Sequence, residues 1–308
     1  MRLTTALNMT STPVFYSRGG AAPFSPASLF ASGQQGLWLE VVQSGGFSPA
    51  YLFAGGQQGL WLEVVQSGEF YPASLFAGGT EGAWYDPSDL STLFQDSAGT
   101  TPVTASGQPV GKMLDKSGNG NHATQATSSK RPTYTEGGGL SWLAFDGVDD
   151  AMEGPGLGVT SSALTMLYSA TQSGGSALDL IFGVENTAQN RFQNFTDDSG
   201  TRETGIQGSG GGAFTAYGDS SVNQIAGAVW NGSAAQNYIN GATSGGASSL
   251  SGSMDLTEGV IYIGKSPSFS SYLFTGIFRG GLLINRALSA EEVISFSTYL
   301  AAKSGLTL

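Results

Sequence analysis

Three carboxylates, Asp146, Asp149 and Asp150, fall within five residues of the phrase FDGVDD. Clustered oxygen ligands suit a hard cation, so this turn is a candidate calcium site. The same side chains also suit a plainer use, because Asp in a tight turn accepts hydrogen bonds from backbone amides a residue or two further on. The sequence favours the turn use. A looser set of oxygen ligands, Glu185, Asn186, Asn190, Asp197 and Asp198, lies in VENTAQNRFQNFTDDSG, and turn chemistry again accounts for it. No cofactor is expected, with calcium the one ion whose ligands the sequence supplies.

Catalytic chemistry is narrowly bounded. The chain has no cysteine and one histidine, His122, so thiolate zinc sites, cysteine nucleophiles and histidine-rich metal centres are excluded. A Ser–His–Asp triad requires His122, and no serine sits in a G-x-S-x-G elbow. The reading is that no residue is catalytic and the protein is not an enzyme. Sugar recognition needs aromatic faces beside amides or charged groups. Phe192, Asn194, Arg202, Tyr217 and Trp230 are the candidates, with the competing expectation that sandwich interiors consume most such aromatics.

These residues must be held by short strands. Charged residues make up 11% of the chain, and there are 47 glycines in 308 residues. That texture suits strands joined by many turns rather than long helices. The formal charge of -11 argues against a nucleic-acid backbone binder. The first twenty residues lack a continuous apolar run and predict no secretory signal. No stretch approaches the roughly 20 apolar residues that span a bilayer.

Residues 1–82 read as an N-terminal assembly segment built on a repeat. FSPASLFASGQQGLWLEVVQSG begins at Phe24 and returns from Phe47 with two changes, Ser28/Tyr51 and Ser32/Gly55. A third, partial copy starts at Phe70 and departs after Trp84, so the repeats cover 24–46, 47–69 and 70–84. Each unit reads as a short helix, capped by Ser25 and Pro26 in the first copy, followed by a strand. Along that strand both faces are apolar. Leu37, Trp38, Leu39 and Val41, with Leu60, Trp61, Leu62 and Val64, are therefore the expected assembly interface. Two full units are too few for a self-sufficient solenoid. The partner is expected to be the chain itself, as a homo-oligomer with a trimer favoured, or a repeating partner protein.

From Ala83 to the C-terminus the pattern predicts an all-β, antiparallel β-sandwich. Asn231-Gly232 and Asn240-Gly241 mark hairpin turns. One helix closes the chain, with Ser289 and Glu292 as a capping box, Leu288 and Val293 as a staple, and Gly305 as the stop.

The phrases DKSGNGNHATQ, LAFDGVDDAM, QNYINGATS and GIFRGGLLINRALSAEEV, in this order, resemble the concanavalin A-like (laminin-G-like) jelly-roll family across residues 83–308. The lead-in PASLFAGGTEGAWYDPSDLSTLFQDSAGTTPV further resembles virion proteins of tailed bacteriophages that carry such a domain. The resemblance implies a virion structural protein: a head fibre, capsid decoration or tail-fibre component exposed on the particle, displaying a lectin-like domain for host-surface glycans. It implies that His122 is the polar end of a turn. It also places Glu185, Asn186, Asn190, Asp197 and Asp198 on loops where pentraxin-like relatives hold calcium. Some relatives hydrolyse polysaccharides with carboxylates paired on one strand. No such strand is present here, since SALDLIFGVE offers only Asp179 and Glu185. An exported bacterial adhesin or carbohydrate-binding module, and a glycan-degrading enzyme, are the alternatives.

Overall fold

The computed structural model describes the backbone of Val14–Tyr16, Trp38–Gln43 and Trp61–Gln66. It also describes residues 70–308 apart from 175–178, 187, 189, 197–199, 210, 250, 266–267 and 269–271. The chain divides into two compact units, Met1–Glu69 and Phe70–Leu308.

In the first unit the duplicated strands Trp38–Gln43 and Trp61–Gln66 run parallel, in register, so that each residue lies beside its own copy. Val14–Tyr16 pairs with the second of them, also in parallel. Identical alternation makes this register natural, because it brings like faces together, whereas a one-residue slip would reverse them. Leu37, Leu60 and the expected helical halves of the first two repeats lie outside the described residues.

The third copy behaves differently. Its helical half is a short 3-10 turn, Pro72–Phe76, with proline in its first positions. Its strand half, Gly82–Tyr85, pairs antiparallel with Thr275–Ile284 in the second unit. Residues 70–82, grouped with the N-terminal segment on sequence grounds, therefore belong to the second unit. The physical reason is burial: Leu75 and Phe76 join Trp84 in the same apolar cluster as the closing helix.

The second unit is an antiparallel β-sandwich. One sheet has nine strands, ordered Gly211–Asp219, Thr201–Gly208, Arg191–Thr196, Leu180–Glu185, Val260–Ile263, Met152–Pro155, and three two-residue strands ending at Leu93–Phe94. The other has eight, with Leu164–Gln172 and Thr275–Ile284 at its centre. Their facing sides enclose the main core, including Tyr168, Phe182, Phe192, Trp230 and Phe278. The hairpin turn at Asn240-Gly241 has both residues at positive φ, 51° and 81°, as its strand-matching twist requires.

The outer side of the eight-stranded sheet is closed. Leu167, Ile225, Val229, Leu282 and Ile284 point outward from it and are buried by Val293, Phe296 and Leu300 of the helix Ala290–Ser304. The helix begins with the full capping box of Ser289 and Glu292 and ends on left-handed Gly305. Leu288 and Val293, the expected staple, are buried in the same cluster.

The phrase DKSGNGNH clamps the strand Gly82–Tyr85. Asn119 and Asn121 side chains donate to Gly82 O at 3.0 and 2.9 Å, and Ser117 Oγ donates to it at 3.2 Å. Trp84 N donates to Asp115 Oδ1 at 2.9 Å. No helix among the described residues is long and apolar enough to cross a membrane.

Candidate functional site

Each carboxylate of the FDGVDD turn is held near the others, with ligand oxygens of Asp146, Asp149 and Asp150 all within 4.8 Å of one another. The turn nevertheless uses two of them, Asp146 and Asp150, internally. Asp146 Oδ1 accepts from Val148 N at 2.8 Å and Asp149 N at 3.3 Å, and Asp150 Oδ2 accepts from Asp146 N at 3.1 Å. Gly147, at φ +73°, leaves no room for a Cβ, which would sit 1.8 Å from Thr275 Oγ1. Burial, then the neighbouring Asp146 and Asp149, push the Asp150 carboxyl up to about 6.

In the second acidic set, Asn186 Oδ1 accepts from Asn190 N at 2.9 Å and its amide donates to Asp255 O at 2.7 Å. Glu185 is buried, and its Oε1 accepts from Ser268 N at 2.7 Å. Asp197 and Asp198 lie outside the described residues. His122 Nδ1 accepts from Asp115 N at 3.0 Å, inside the clamp on Gly82–Tyr85.

The sequence-derived sugar residues require correction. Phe192, Asn194, Arg202 and Trp230 are all buried, so none offers a face to a ligand. Phe192 and Trp230 belong to the main core. Asn194 and Arg202 build a polar network within the sandwich. Tyr168 Oη donates to Asn194 Oδ1, Asn194 Nδ2 donates to Thr204 Oγ1 at 3.0 Å, and Arg202 donates to Tyr168 Oη at 2.7 Å. Arg202 also donates to Ala170 O at 3.1 Å. Tyr217 lies in the strand Gly211–Asp219, and its side chain is outside the description.

The alternate residues of the same strands build a different surface. Successive strand residues point to opposite faces, so the neighbours of the inward set face out. Across the nine-stranded sheet, Phe214, Gly205, Gln193, Gly183, Tyr262 and Glu153 stand in one register row over six adjacent strands. A second row brings Gln207, Arg191 and Glu185 side by side, and a third pairs Glu203 with Phe195. Helix and 3-10 turn cover the outer face of the opposite sheet, whereas on this one Phe214 remains 57% exposed.

Glycine shapes this surface. A Cβ on Gly205 would lie 3.0 Å from both Phe195 and Phe214 rings, which lean together over it, 5.9 Å apart and nearly perpendicular. Around them are polar groups already oriented by one another. Arg191 donates to Gln207 Oε1 at 2.6 Å, and Tyr262 Oη donates to Gln193 Oε1 at 3.1 Å. Towards the strand Val260–Ile263 the face is capped. Leu180, Phe195 and Tyr262 form a small buried cluster with Tyr272 against it. The open portion is thus the edge around Phe214, bounded by Glu203 on one side and the Arg191–Gln207 pair on the other. An exposed ring flanked by amide, guanidinium and carboxylate groups can stack an apolar ring face and hydrogen-bond its hydroxyls. Composition gave no hint of it beyond the alternation itself.

No family model and no curated protein matches the chain. Among solved structures it is similar to a Trypanosoma rangeli sialidase in complex with the inhibitor DANA, at 12% identity and a TM-score of 0.47, over 75% of this chain and 34% of that one. The botulinum neurotoxin serotype G binding domain is similar at 12% identity and a TM-score of 0.46, over 62% and 49% of the two chains. The CBM40 of a Ruminococcus gnavus IT-sialidase, bound to α2,3 sialyllactose, aligns at 15% identity and a TM-score of 0.37, over 44% and 83%. The chain thus spans about a third and about half of the first two. At these values the likeness bears on neither activity nor ligand.

Proposed function

We propose that the chain is a non-enzymatic structural protein of a tailed bacteriophage particle, a fibre or decoration component exposed on the virion. In this reading the N-terminal repeats attach it and the open sheet face binds glycans on the host surface. The observation that carries the binding half is the asymmetry of the sandwich. One outer face is sealed by the C-terminal helix, while the other presents Phe214 beside Arg191, Gln207 and Glu203. The attachment half is supported by the duplicated strands, which already pair parallel with a copy of themselves. Another copy of the chain, in a homotrimer, or a repeating capsid or tail protein offers the same kind of pairing. No catalytic residue is assigned, and His122 serves the clamp.

The test is stoichiometric. The protein is expected in purified particles at a fixed ratio to capsid or tail proteins. Changing both Trp38 and Trp61 to Ser, or deleting residues 1–69, is expected to remove it from sedimented particles or dissolve its oligomer. Retention of both properties by the deleted form overturns the attachment role. Turnover of a glycan that is lost with a single carboxylate overturns the non-enzymatic reading.

A further inference from the structure

Arg279 stands where the strand Thr275–Ile284 bulges. Gly280 pairs with Ser169 and Phe278 with Ala170, which leaves Arg279 with no residue opposite it. Such a bulge re-aims a side chain, and bulges are over-represented beside functional sites. Phe278 points into the main core, while Arg279 lies on the outer side of the eight-stranded sheet, where the closing helix stops. Its Nη1 donates to Thr171 Oγ1 at 3.0 Å and to Asn223 Oδ1 at 3.1 Å, and Asn223 donates in turn to Ser304 O at 2.8 Å. Its Cζ lies over the Trp142 ring, 5.9 Å from the centroid. Together these contacts fix the plane of the guanidinium.

One edge of the group is left free. The N–H of Nε and one N–H of Nη2 point the same way, and that pair matches the two oxygens of a carboxylate. Arg279 is only 8% exposed, and its Nε has no acceptor among the described residues. Nη2 is unbonded as well and reaches solvent. Among the described residues, no carboxylate forms an ion pair with Arg279. Burial therefore lowers its pKa with no neighbouring charge to offset the effect. A desolvated charge without a counter-ion and an orphaned donor are both costly. The helix C-terminus compensates the Nη1 side through Asn223, but nothing compensates the other edge. Trp142, Thr171 and Asn223 are each part-exposed, so the free edge lies close to water.

From this geometry we infer that the free edge of Arg279 is a binding site for a carboxylate, carried by a small organic acid or an acidic sugar. One oxygen meets Nη2 from the solvent side and the other meets Nε. The lone positive charge selects a singly charged partner, because a dianion would leave net charge in a desolvated place. Trp142 flanks the pair and limits its hydration. The site lies on the sheet opposite to Phe214 and stands apart from the glycan-binding reading of that face.

The experiment follows the Arg279 Nε–H and Trp142 indole N–H signals of the full chain by nitrogen-edited NMR. Acetate, lactate, glucuronate and galacturonate are titrated at constant ionic strength, with acetamide and methyl glucuronate ester as neutral controls and sulfate as the dianion. Both signals are expected to shift saturably with the acids and to stay still with the neutral controls. Arg279→Lys keeps the charge and loses the fork, so binding read at the Trp142 indole is expected to weaken by about tenfold or more. Tighter binding of the sugar acids than of acetate assigns the source to an acidic sugar, and equal binding assigns it to free acids; both support the site. Acetamide binding as well as acetate, or sulfate binding more tightly than any acid, overturns the carboxylate class. That comparison uses the parent chain and decides the matter even if the Lys variant does not fold. Binding unchanged in a folded Arg279→Lys overturns the seat. No shift with any acid overturns the inference and leaves the reading of the Phe214 face untouched.

Discussion

Asp150 makes the folded chain respond to mild acid. Its carboxyl is raised to about 6 by burial and by Asp146 and Asp149, so the folded state holds a proton more tightly than the unfolded chain does. Stability from this group is therefore gained as pH falls from about 6 towards the ordinary Asp value near 4. Asp150→Asn keeps an oxygen for Asp146 N and removes the charge. We expect it to raise stability at pH 7 by about 1 kcal/mol, after allowance for solvent screening, and to flatten the dependence between pH 4 and 6. Urea denaturation at pH 5 and pH 7 checks both, and a loss of stability at pH 7 would refute the argument. Millimolar calcium is expected to leave the melting temperature almost unchanged, because the Asp146 and Asp150 carboxylates already serve the turn. A large calcium shift, lost in Asp149→Asn, would reverse that reading. The turn was legible in FDGVDD. The facing of the sugar candidates was not, and the error was of one kind. Three of the candidates fall on strands of the nine-stranded sheet, but Phe192, Asn194 and Arg202 face the core while their neighbours Arg191, Gln193, Phe195 and Glu203 face out. Period-two alternation gives two faces and no label for which is inside, when both carry aromatics.

At the scale of elements, the closing helix is held at both ends by side chains. Asp86 accepts from Tyr299 Oη at 2.5 Å and from Lys116 Nζ at 3.3 Å, with Lys303 Nζ at 3.9 Å. Burial opposes its ionisation, but Ser88, Tyr299, Lys116 and Lys303 outweigh that and hold its carboxyl below the ordinary range. Its contribution is present above the ordinary Asp value and lost as pH falls through the lower folded one, opposite in sign to that of Asp150. Between them, these two groups place their joint optimum in mild acid. At the helix start, Ser289→Ala removes the acceptor for Glu292 N and is expected to cost about 1 kcal/mol, measured by thermal melting. Phe296→Ala, at the fully buried centre, is expected to cost about 3–5 kcal/mol. A smaller loss from Phe296 than from Ser289 would mean that the helix does not seal the sheet. Capping box, staple and stop were all legible, because they are local signals. The third repeat was harder. Its sequence matched the N-terminal units, and only long-range pairing of Gly82–Tyr85 with Thr275–Ile284 assigns it to the sandwich.

For the molecule as a whole, that assignment predicts where it can be cut. Residues 70–308 are expected to fold alone as a β-rich unit. Residues 83–308 would lose Leu75 and Phe76 and the Arg286 contacts to Leu75 O at 3.2 and 3.4 Å. Each of those two side chains is worth about 2–5 kcal/mol when buried. The shorter form is expected to melt well below the longer by calorimetry, and equal melting points would show that residues 70–82 are dispensable.

The clamp on Gly82–Tyr85 also acquires a mechanical meaning. In a chain tethered through its first 69 residues and gripping a surface through the sandwich, tension enters at Phe70. It first meets Arg286 holding Leu75 O, and then Gly82 O, on which Ser117, Asn119 and Asn121 converge, with Asp115 gripping Trp84 N beside them. Those bonds share the load with the pairing to Thr275–Ile284, which starts at the same Gly82, so the strand is gripped from two sides where it enters the sandwich. The asparagine-rich loop works as a strain relief at the point where the tether joins the load.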